Sequence, residues 1–333
     1  MGAHSTVEHG RAAVLDEPPA DVAGELDGLS AALDEAVPPK HLDRNLLIGT
    51  WNIRAFGDLT EKWHTGGDDS PKRNLADVRA IAEIASRFDV VAIQEARAGL
   101  KALRHMLKLL GPHWGLILTD VNRGDAGNGE RLAFVFDLRR VRPSGLAAEL
   151  VVPNEQVEGR GIDAGALQRQ FVRTPYAVSF LSAGQTFILA TLHVKYGDSP
   201  SERTEELRAI AEWLSDWASS VEDYNQNLIA LGDFNIDREG DPNHEAFTST
   251  GLRSPTPLDD VRRTVSSTPE KNHFYDQIAW FTDDGRAKLT LEHTGRAGGF
   301  DFVPHVHPDL TPQQKSWHIS DHYPLWAEFA VPA

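Results

Sequence analysis

Apolar residues recur in two alternating patterns from residue 46 onward. Short continuous apolar runs, which are typical of buried strands, occupy residues 46–53, 90–94, 116–119, 132–136, 176–180, 187–193, 228–231, 278–281 and 325–329. Between them, apolar residues spaced three or four apart predict amphipathic helices over residues 75–88, 103–110 and 207–217. This alternation of strands and helices predicts one α/β domain.

The first 44 residues differ from the rest of the chain. They are rich in Ala, Pro, Asp and Glu, and nine acidic residues against three basic ones give them a net charge of −6. Val22, Leu26, Leu29 and Leu33 have the spacing of a short amphipathic helix. Because the composition is typical of a solvated segment, we predict an acidic, mostly mobile extension at residues 1–44 and the domain at residues 45–333.

Composition excludes several kinds of site. The 333 residues contain no cysteine, so disulfides, zinc–thiolate centres and thiol nucleophiles are excluded. No apolar run approaches the roughly 20 residues of a membrane span, and the first residues lack the basic and apolar parts of a secretory signal. We therefore expect a cytoplasmic protein without a stable membrane anchor, and nothing in the sequence indicates a protein partner.

Polar residues follow the ends of the predicted strands. Such strand ends are where side chains of α/β proteins converge on one cleft. A single polar residue of this kind is also typical of an exposed strand end or a turn. The prediction of a site therefore depends on the occurrence of all of them in one chain. The residues concerned are Asn52, Glu95, His193, Asp233, Asn235, Asp276, Asp321 and His322.

These residue types indicate phosphate ester chemistry. The carboxylates of Glu95, Asp233 and Asp321 are hard oxygen ligands that favour Mg²⁺ or Mn²⁺ over zinc. Such a cation stabilises the charge that builds on a phosphate during attack. His193 and His322 can transfer protons near neutral pH. The sequence therefore predicts a hydrolase that depends on Mg²⁺ or Mn²⁺.

Several short motifs resemble a known family. Gly-Asp-Phe-Asn at 232–235 and Ser-Asp-His at 320–322 resemble the endonuclease/exonuclease/phosphatase superfamily. Asn-Ile-Arg-Ala-Phe-Gly at 52–57 and Gln-Glu-Ala-Arg at 94–97 are more similar to its deoxyribonuclease I-like branch. The resemblance covers roughly residues 46–330. It implies a four-layer α/β/β/α sandwich, in which two packed sheets are flanked by helices and the site lies at one end of the sheets.

The resemblance also implies roles for individual residues. Glu95 is similar in position to the family's main metal ligand, assisted by Asn52 and Asp321. Asp233 and Asn235 correspond to residues that orient the nucleophile and the scissile phosphate, and Asp233 is also a candidate ligand of a second metal.

Two histidine–carboxylate pairs and two arginines complete the implied site. His193 is expected to pair with Glu130, and His322 with Asp276, and either histidine could serve as base or acid. The arginines are both substrate-binding candidates: Arg173 falls where the family places a phosphate-binding arginine, and Arg97 where the deoxyribonuclease branch places a minor-groove arginine.

The chain departs from that branch in two places. Asn128 stands where the branch has an aromatic residue two positions before the glutamate. Residues 294–318 form an insertion that contains Phe300, Phe302 and Trp317. We interpret the insertion as a surface loop, with a substrate or membrane lip as the alternative.

Three functions are consistent with the sequence. The first is a metal-dependent DNA endonuclease of low sequence specificity, with DNA as substrate. The second is a phosphodiesterase or phosphatase for lipid headgroups or small phosphates, similar to a sphingomyelinase or an inositol phosphatase. The net charge of −16 keeps this alternative open, since acidic proteins bind nucleic acid poorly. The third, a noncatalytic binding protein, is disfavoured by the complete set of candidate ligands and histidines.

Overall fold

A computed structural model describes residues 13–122, 129–150, 173–197, 199–219, 227–268 and 273–331. Within these ranges the α-helices are α1 (Ala20–Ala36), α2 (Leu75–Ser86), α3 (Lys101–Leu110), α4 (Pro200–Ser219), α5 (Pro242–Thr248) and α6 (Pro312–His318). Short 3₁₀ segments lie at Thr256–Leu258 and Val303–His305. No helix in the described ranges is both long and apolar enough to cross a membrane.

The strands form two sheets. They are β1 (Asn45–Phe56), β2 (Val90–Arg97), β3 (Trp114–Leu118), β4 (Glu130–Asp137), β5 (Arg142–Glu149), β6 (Tyr176–Ser182), β7 (Gln185–His193), β8 (Leu228–Ile236), β9 (Leu252–Arg253), β10 (Phe274–Asp283), β11 (Arg286–Ala287), β12 (His293–Gly299) and β13 (Leu325–Ala330). The first sheet has the order β12-β13-β1-β2-β4-β3. The second has the order β11-β10-β8-β7-β6-β5, with β9 beside β10.

Each sheet has a parallel pair at its centre. Strands β1 and β2 run parallel, as do β7 and β8. Strands β4, β10 and β13 are antiparallel to β2, β8 and β1 respectively. The carboxyl ends of the four parallel strands therefore lie at the same edge as the amino ends of the three antiparallel ones. This topology brings the polar strand ends together.

Alternating side chains divide each sheet between two layers of core. In β1, Leu46 and Ile48 are buried between the sheets, whereas Leu47 and Trp51 are buried under the helices α1, α2 and α3. On the far side, helices α4 and α5 cover the second sheet through residues such as Leu207. The four-layer α/β/β/α sandwich is therefore confirmed.

Aromatic rings fill much of the space between the sheets. The ring of Phe180 lies 5.6 Å from that of Phe134 and 5.3 Å from that of Phe136, both edge-to-face. Phe187 stacks on Phe180 at 5.9 Å. These contacts join β4 of the first sheet to β6 and β7 of the second, so they fix the two sheets relative to each other beneath the site.

The expected mobile extension is wrong for the part of residues 1–44 that the structure describes. Helix α1 has the amphipathic side that its apolar spacing predicts, and Leu29 and Leu33 are completely buried against the first sheet's helices. Arg87 at the end of α2 pairs with Asp34 of α1. Burial of this apolar face offsets the cost of ordering an acidic segment, so α1 belongs to the domain core.

Residues 294–318 are also not a surface loop. Strand β12 adds to the sheet beside β13, and α6 follows it. Phe300 and Phe302 are buried in the core under the first sheet, where Phe302 lies 6.1 Å from Trp51 between ring centroids. Phe300 and Phe302 are therefore core residues and cannot form a membrane lip, whereas Trp317 remains 51% exposed. Asn128 lies outside the described residues.

Candidate active site

Strand register places the candidate residues opposite one another. His193 and Asp233 are partners in the parallel pair of β7 and β8, and Asp276 is the antiparallel partner of Asp233. In the first sheet, Arg97 is the partner of Glu130. A hydrogen bond from Asn52 Nδ2 to Asp233 Oδ2, 3.0 Å long, connects the two sheets at this edge.

His193 lies against a buried carboxylate. Its Nδ1 atom is 3.0 Å from Glu130 Oε2, which is also 2.5 Å from Arg173 Nε. Burial alone would raise the pKa of Glu130, but His193 and Arg173 lower that pKa to about 2. Glu130 therefore stays ionised and can hold the imidazole ring in one orientation, with Nε2 directed away from it.

His322 forms the second pair with Asp276. Its Nδ1 atom lies 2.6 Å from Oδ2 of the fully buried Asp276. Burial raises the pKa of Asp276 to about 6. Burial also acts to lower the pKa of His322, but the adjacent Asp276 and Asp233 raise that pKa well above 6.5. The raised pKa of His322 favours the proton on its imidazole ring, so that Nδ1–H donates to the carboxylate of Asp276.

Both histidines face the same oxygen atom. Asp233 Oδ2 lies 3.6 Å from His193 Nε2 and 3.9 Å from His322 Nε2. The other oxygen, Oδ1, accepts a 2.9 Å hydrogen bond from the backbone N–H of Asn235. Asp233 is thus held between two groups that can transfer protons.

Two site residues have left-handed backbone conformations. Glu95 has a φ of +61° and Asn235 a φ of +51°. Such values are uncommon outside glycine, and strained positions of this kind cluster at functional sites. The Asn235 side chain is fixed by a 2.7 Å bond from Nδ2 to the carbonyl of Val194. Both site residues with this conformation lie at the shared edge of the sheets.

The candidate metal ligands present hard oxygen atoms. Glu95 is half-buried, and its Oε2 atom accepts a 2.8 Å bond from the N–H of Ala55. The Oδ1 atom of buried Asn52 has no hydrogen-bond partner among the described residues. A buried acceptor without a donor is unfavourable unless it coordinates a ligand. These oxygen ligands fit Mg²⁺ or Mn²⁺.

The carboxylates form two groups rather than one. Ligand atoms of Glu95, Glu130 and His193 lie within 4.8 Å of one another, as do those of Asp233, Asp276 and His322. Asp321 belongs to neither of these described groups. Its side chain is 42% exposed and lies 3.6 Å from Arg54 Nη1. The structure thus places Asp321 at the mouth of the site.

Both predicted substrate-binding arginines contact carboxylates. Arg97 Nη2 lies 3.3 Å from Glu95 Oε2, and Arg97 Nη1 lies 3.4 Å from Glu130 Oε1. Arg173 is buried against Glu130, although its Nη1 atom has no hydrogen-bond partner among the described residues. The guanidinium of Arg97 therefore lies within the carboxylate cluster, whereas a minor-groove contact would require it to extend outward.

Sequence reasoning missed the arginines that support this edge. Buried Arg73 donates hydrogen bonds to the carbonyls of Arg54, Ala55, His318 and Ile319. Burial lowers the pKa of Arg73 to about 10, so it keeps its charge. Since arginine spacing has no periodic signal, only the fold reveals that Arg73 joins the end of β1 to the loop before Asp321.

Arg54 is a second such residue. Its guanidinium lies 3.4 Å from the centroid of the half-exposed ring of Trp317. It also donates a 2.9 Å bond to Ser316. Arg54 was part of the Asn-Ile-Arg motif, but nothing in the motif indicated that its partners come from α6.

Comparison with known proteins agrees with this geometry. Residues 49–322 match the Endonuclease/Exonuclease/phosphatase family. The chain belongs to that family. Among curated proteins, it is 28% identical over 298 residues to a deoxyribonuclease of Thioalkalivibrio sp. (strain K90mix), covering 86% of this chain and 71% of that protein.

Solved structures of the endonuclease/exonuclease/phosphatase family have the same fold. The human Nocturnin catalytic domain is similar with a TM-score of 0.55 and 15% identity, over 86% of this chain and 94% of that one. D. rerio TDP2 complexed with single strand DNA product has a TM-score of 0.52 and 16% identity, over 86% and 98%. The mannosyl-6-phosphatase Bt3783 of Bacteroides thetaiotaomicron has a TM-score of 0.52 and 19% identity, over 85% and 99%.

Family membership supports a hydrolase of phosphoric esters. Endonuclease/exonuclease/phosphatase enzymes generally depend on a divalent metal, and the acidic and histidine groups of this site are candidates to hold one.

Proposed function

We propose that this protein is a divalent-metal-dependent phosphodiesterase that cuts DNA with little sequence preference. One observation supports the chemistry above all others: two histidine–carboxylate pairs face the same oxygen of Asp233 at 3.6 and 3.9 Å. The DNA substrate rests on the similarity to a deoxyribonuclease over 86% of the chain.

The residues of the candidate active site have separate roles in an in-line hydrolysis. Water must lose a proton as it attacks phosphorus, and the leaving oxygen must gain one. The Nε2 atoms of His193 and His322 flank Asp233 and can perform these two transfers. Asp233 orients the attacking water, and Asn235 positions a phosphate oxygen. A cation held by Glu95, Asn52 and Asp321, with Asp233 as the ligand of a second one, would neutralise charge on the phosphate.

Arg97 and Arg173 are the proposed phosphate contacts. A planar guanidinium can bind a phosphate through two N–H groups. Arg97 is 30% exposed, so it can exchange a carboxylate partner for a substrate phosphate. The unpaired Nη1 of Arg173 lies behind it, close to Glu130. Together with a bound cation, they would offset the negative charge of the site carboxylates at the scissile bond.

A small phosphate ester is the competing candidate substrate. It is supported by the net charge of −16, which opposes binding of a polyanion, and by the fold shared with a mannosyl-6-phosphatase.

A substrate panel with supercoiled plasmid, sphingomyelin, an inositol phosphate and a sugar phosphate separates the two candidates. Each substrate is incubated with Mg²⁺, with Mn²⁺ and with chelator. We expect plasmid nicking that chelator abolishes. Asp233→Asn protein, purified identically, serves as the control for contaminating nucleases and should be inactive. Intact plasmid alongside cleavage of a small ester would overturn the DNA assignment.

A further inference from the structure

A cavity separate from the residues of the active site lies beside it. It has a volume of about 600 Å³ and is located past the carboxyl ends of β7 and β8. Residues that line it include Tyr196, Ser199, Arg203, Thr204, Asp237 and Asn243. None of these residues takes part in the site described above, so the cavity requires its own explanation.

Arg203 contributes unpaired donors to this cavity. The residue is only 2% exposed, and its Nη2 atom donates a 2.6 Å bond to Asp237. Its Nε and Nη1 atoms have no hydrogen-bond partner among the described residues. A buried guanidinium with two unpaired N–H groups is unfavourable on its own. The arrangement is therefore suited to a ligand that accepts two hydrogen bonds from one edge of an arginine.

Asn243 adds a third donor. Its Oδ1 atom accepts a 2.7 Å bond from the hydroxyl of Thr204, which leaves the amide nitrogen facing other partners. That Nδ2 atom is buried and has no hydrogen-bond partner among the described residues. The unpaired atoms of both side chains are thus hydrogen-bond donors, so the matching ligand must offer acceptor atoms. A cation offers none and is excluded.

Helix α4 begins at the same cavity. It is 20 residues long and starts at Pro200, which lines the cavity together with Ser199. The first turn of a helix carries unpaired backbone N–H groups and the positive end of the helix dipole, and both favour an anion. The helix end therefore supports the same ligand as Arg203 and Asn243.

The acidic residues of the cavity already have partners. Asp237 accepts from Arg203, and Asp241 accepts at Oδ1 from the N–H of His244 (2.8 Å) and at Oδ2 from the N–H of Arg238 (3.0 Å). Each carboxylate thus accepts at least one hydrogen bond, and the buried unpaired atoms of the cavity among the described residues are the donors of Arg203 and Asn243. We infer that this cavity binds a phosphate of the nucleic-acid strand next to the scissile phosphate.

Aromatic rings connect the cavity to the active site. The ring of Tyr196 lies 6.3 Å from that of Tyr275, which lies 6.1 Å from that of His322. His273 stacks on Tyr275 at 4.5 Å. Tyr196 is 58% exposed, and its ring centroid lies 4.8 Å from the guanidinium of Arg203. An exposed aromatic ring beside an arginine is typical of sites for single nucleic-acid strands, since bases stack on such rings. This inference rests on the proposed function. It implies that the nucleic-acid strand runs from the active site past Tyr275 and Tyr196 to the cavity.

Inorganic phosphate tests the cavity without any need for catalysis. The Nε–H resonance of Arg203, assigned by its loss in Arg203→Lys, should shift on titration with phosphate and saturate. The shift should be absent in Asn243→Asp, which replaces a donor by a negative charge. Arg296→Ala, at an exposed position on β12, is the control and should leave the titration unchanged. An Arg203 resonance that does not respond to phosphate would overturn the inference.

Kinetics test whether the phosphate belongs to the substrate strand. Asn243→Asp should raise KM for an oligonucleotide about tenfold more than KM for bis(p-nitrophenyl) phosphate, which has no second phosphate. If Asn243→Asp fails to fold, Arg203→Lys is measured in its place. Phosphate binding with an equal change in both KM values would reject the strand as its source. Absence of any DNA cleavage would instead reject the proposed function, while the titration still reports on the cavity.

Discussion

His193 and Asp233 are register partners across the parallel pair of β7 and β8, and His193 Nε2 lies 3.6 Å from Asp233 Oδ2. The same oxygen lies 3.9 Å from Nε2 of His322, which reaches it from the loop before β13 in the other sheet. The proposed proton-transfer groups therefore come from opposite sheets, and their spacing depends on how the sheets pack.

The two histidines should act as a unit. Loss of a proton-transfer group typically lowers the rate by about 10²–10⁴, and residues that act together are not additive. We expect the double variant His193→Ala/His322→Ala to be little slower than the slower single variant. The measurement is kcat on plasmid and on a chromogenic diester. A single variant that retains more than about a third of the activity would remove that histidine from the mechanism.

Glu95 should control metal affinity. A carboxylate that faces a cation contributes a full charge, and its amide isostere does not. Glu95→Gln should therefore weaken Mg²⁺ binding and lower turnover by orders of magnitude without unfolding the protein, as followed by calorimetric titration with Mg²⁺ and by circular dichroism. Asp321→Asn is the matched comparison, and the smaller effect is expected there because Asp321 is 42% exposed. Normal Mg²⁺ affinity in Glu95→Gln would show that the cation binds elsewhere.

Much of the fold followed from local patterns in the sequence. The central strands are continuous apolar runs because both of their faces are buried, and such runs are easy to detect. The polar residues that end them, such as Glu95 and Asp233, were predicted to meet because parallel strands share an edge. The register that places His193 beside Asp233 confirms that these two converge.

Other features depend on contacts between distant segments, which local patterns do not contain. Strand β5 alternates between exposed and half-buried residues without a strong apolar run, so it was not predicted. Helix α1 had the right apolar spacing, but its acidic composition concealed that Leu29 and Leu33 have a core to enter. The contact of Arg97 with Glu95 and Glu130 depends on the pairing of the end of β2 with the start of β4.

Removal of α1 should destabilise the domain. A chain that starts at His41 loses Val22, Leu29, Leu33 and Val37, all of which are buried. Deletion of a single buried leucine side chain costs about 2–5 kcal/mol, so Leu33→Ala should lower the midpoint of urea unfolding and the truncated chain should lower it further. Leu42→Ala is the control, since Leu42 is 71% exposed. Full stability of the truncated chain would show that α1 contributes nothing to the core.

A buried cluster outside the active site should make stability depend on pH. Asp77 at the start of α2 is completely buried and contacts His307 and His318, the latter through a 2.8 Å bond to Nδ1. Burial acts to raise the pKa of Asp77, but the two histidines lower it below 3.8. Burial acts to lower the pKa of His307, but Asp77 raises it above 6.5.

The directions of the pKa shifts of Asp77 and His307 define the pH range in which this cluster stabilises the fold. A raised histidine pKa stabilises the fold fully below pH 6.5, and this contribution is lost as pH rises through the folded value. A lowered aspartate pKa stabilises the fold above pH 3.8, and this contribution is lost as pH falls through the folded value. We expect His307→Gln to reduce the free energy of unfolding at pH 6 and to have less effect at pH 9. An equal effect at both values would show that protonation of His307 does not contribute.

Arg97 should contribute to the salt dependence of DNA binding. Its guanidinium lies 3.3 Å from Glu95 and 3.4 Å from Glu130, so it must exchange one of these for a DNA phosphate. Each phosphate that a protein neutralises adds about 0.9 to the slope of log affinity against log salt. Arg97→Ala should therefore flatten the salt dependence of 1/KM for plasmid by about one unit, whereas Arg97→Lys should keep it. If Arg97→Ala weakens catalysis on plasmid and chromogenic diester alike while the slope stays unchanged, Arg97 acts on Glu95 and Glu130 and not on DNA.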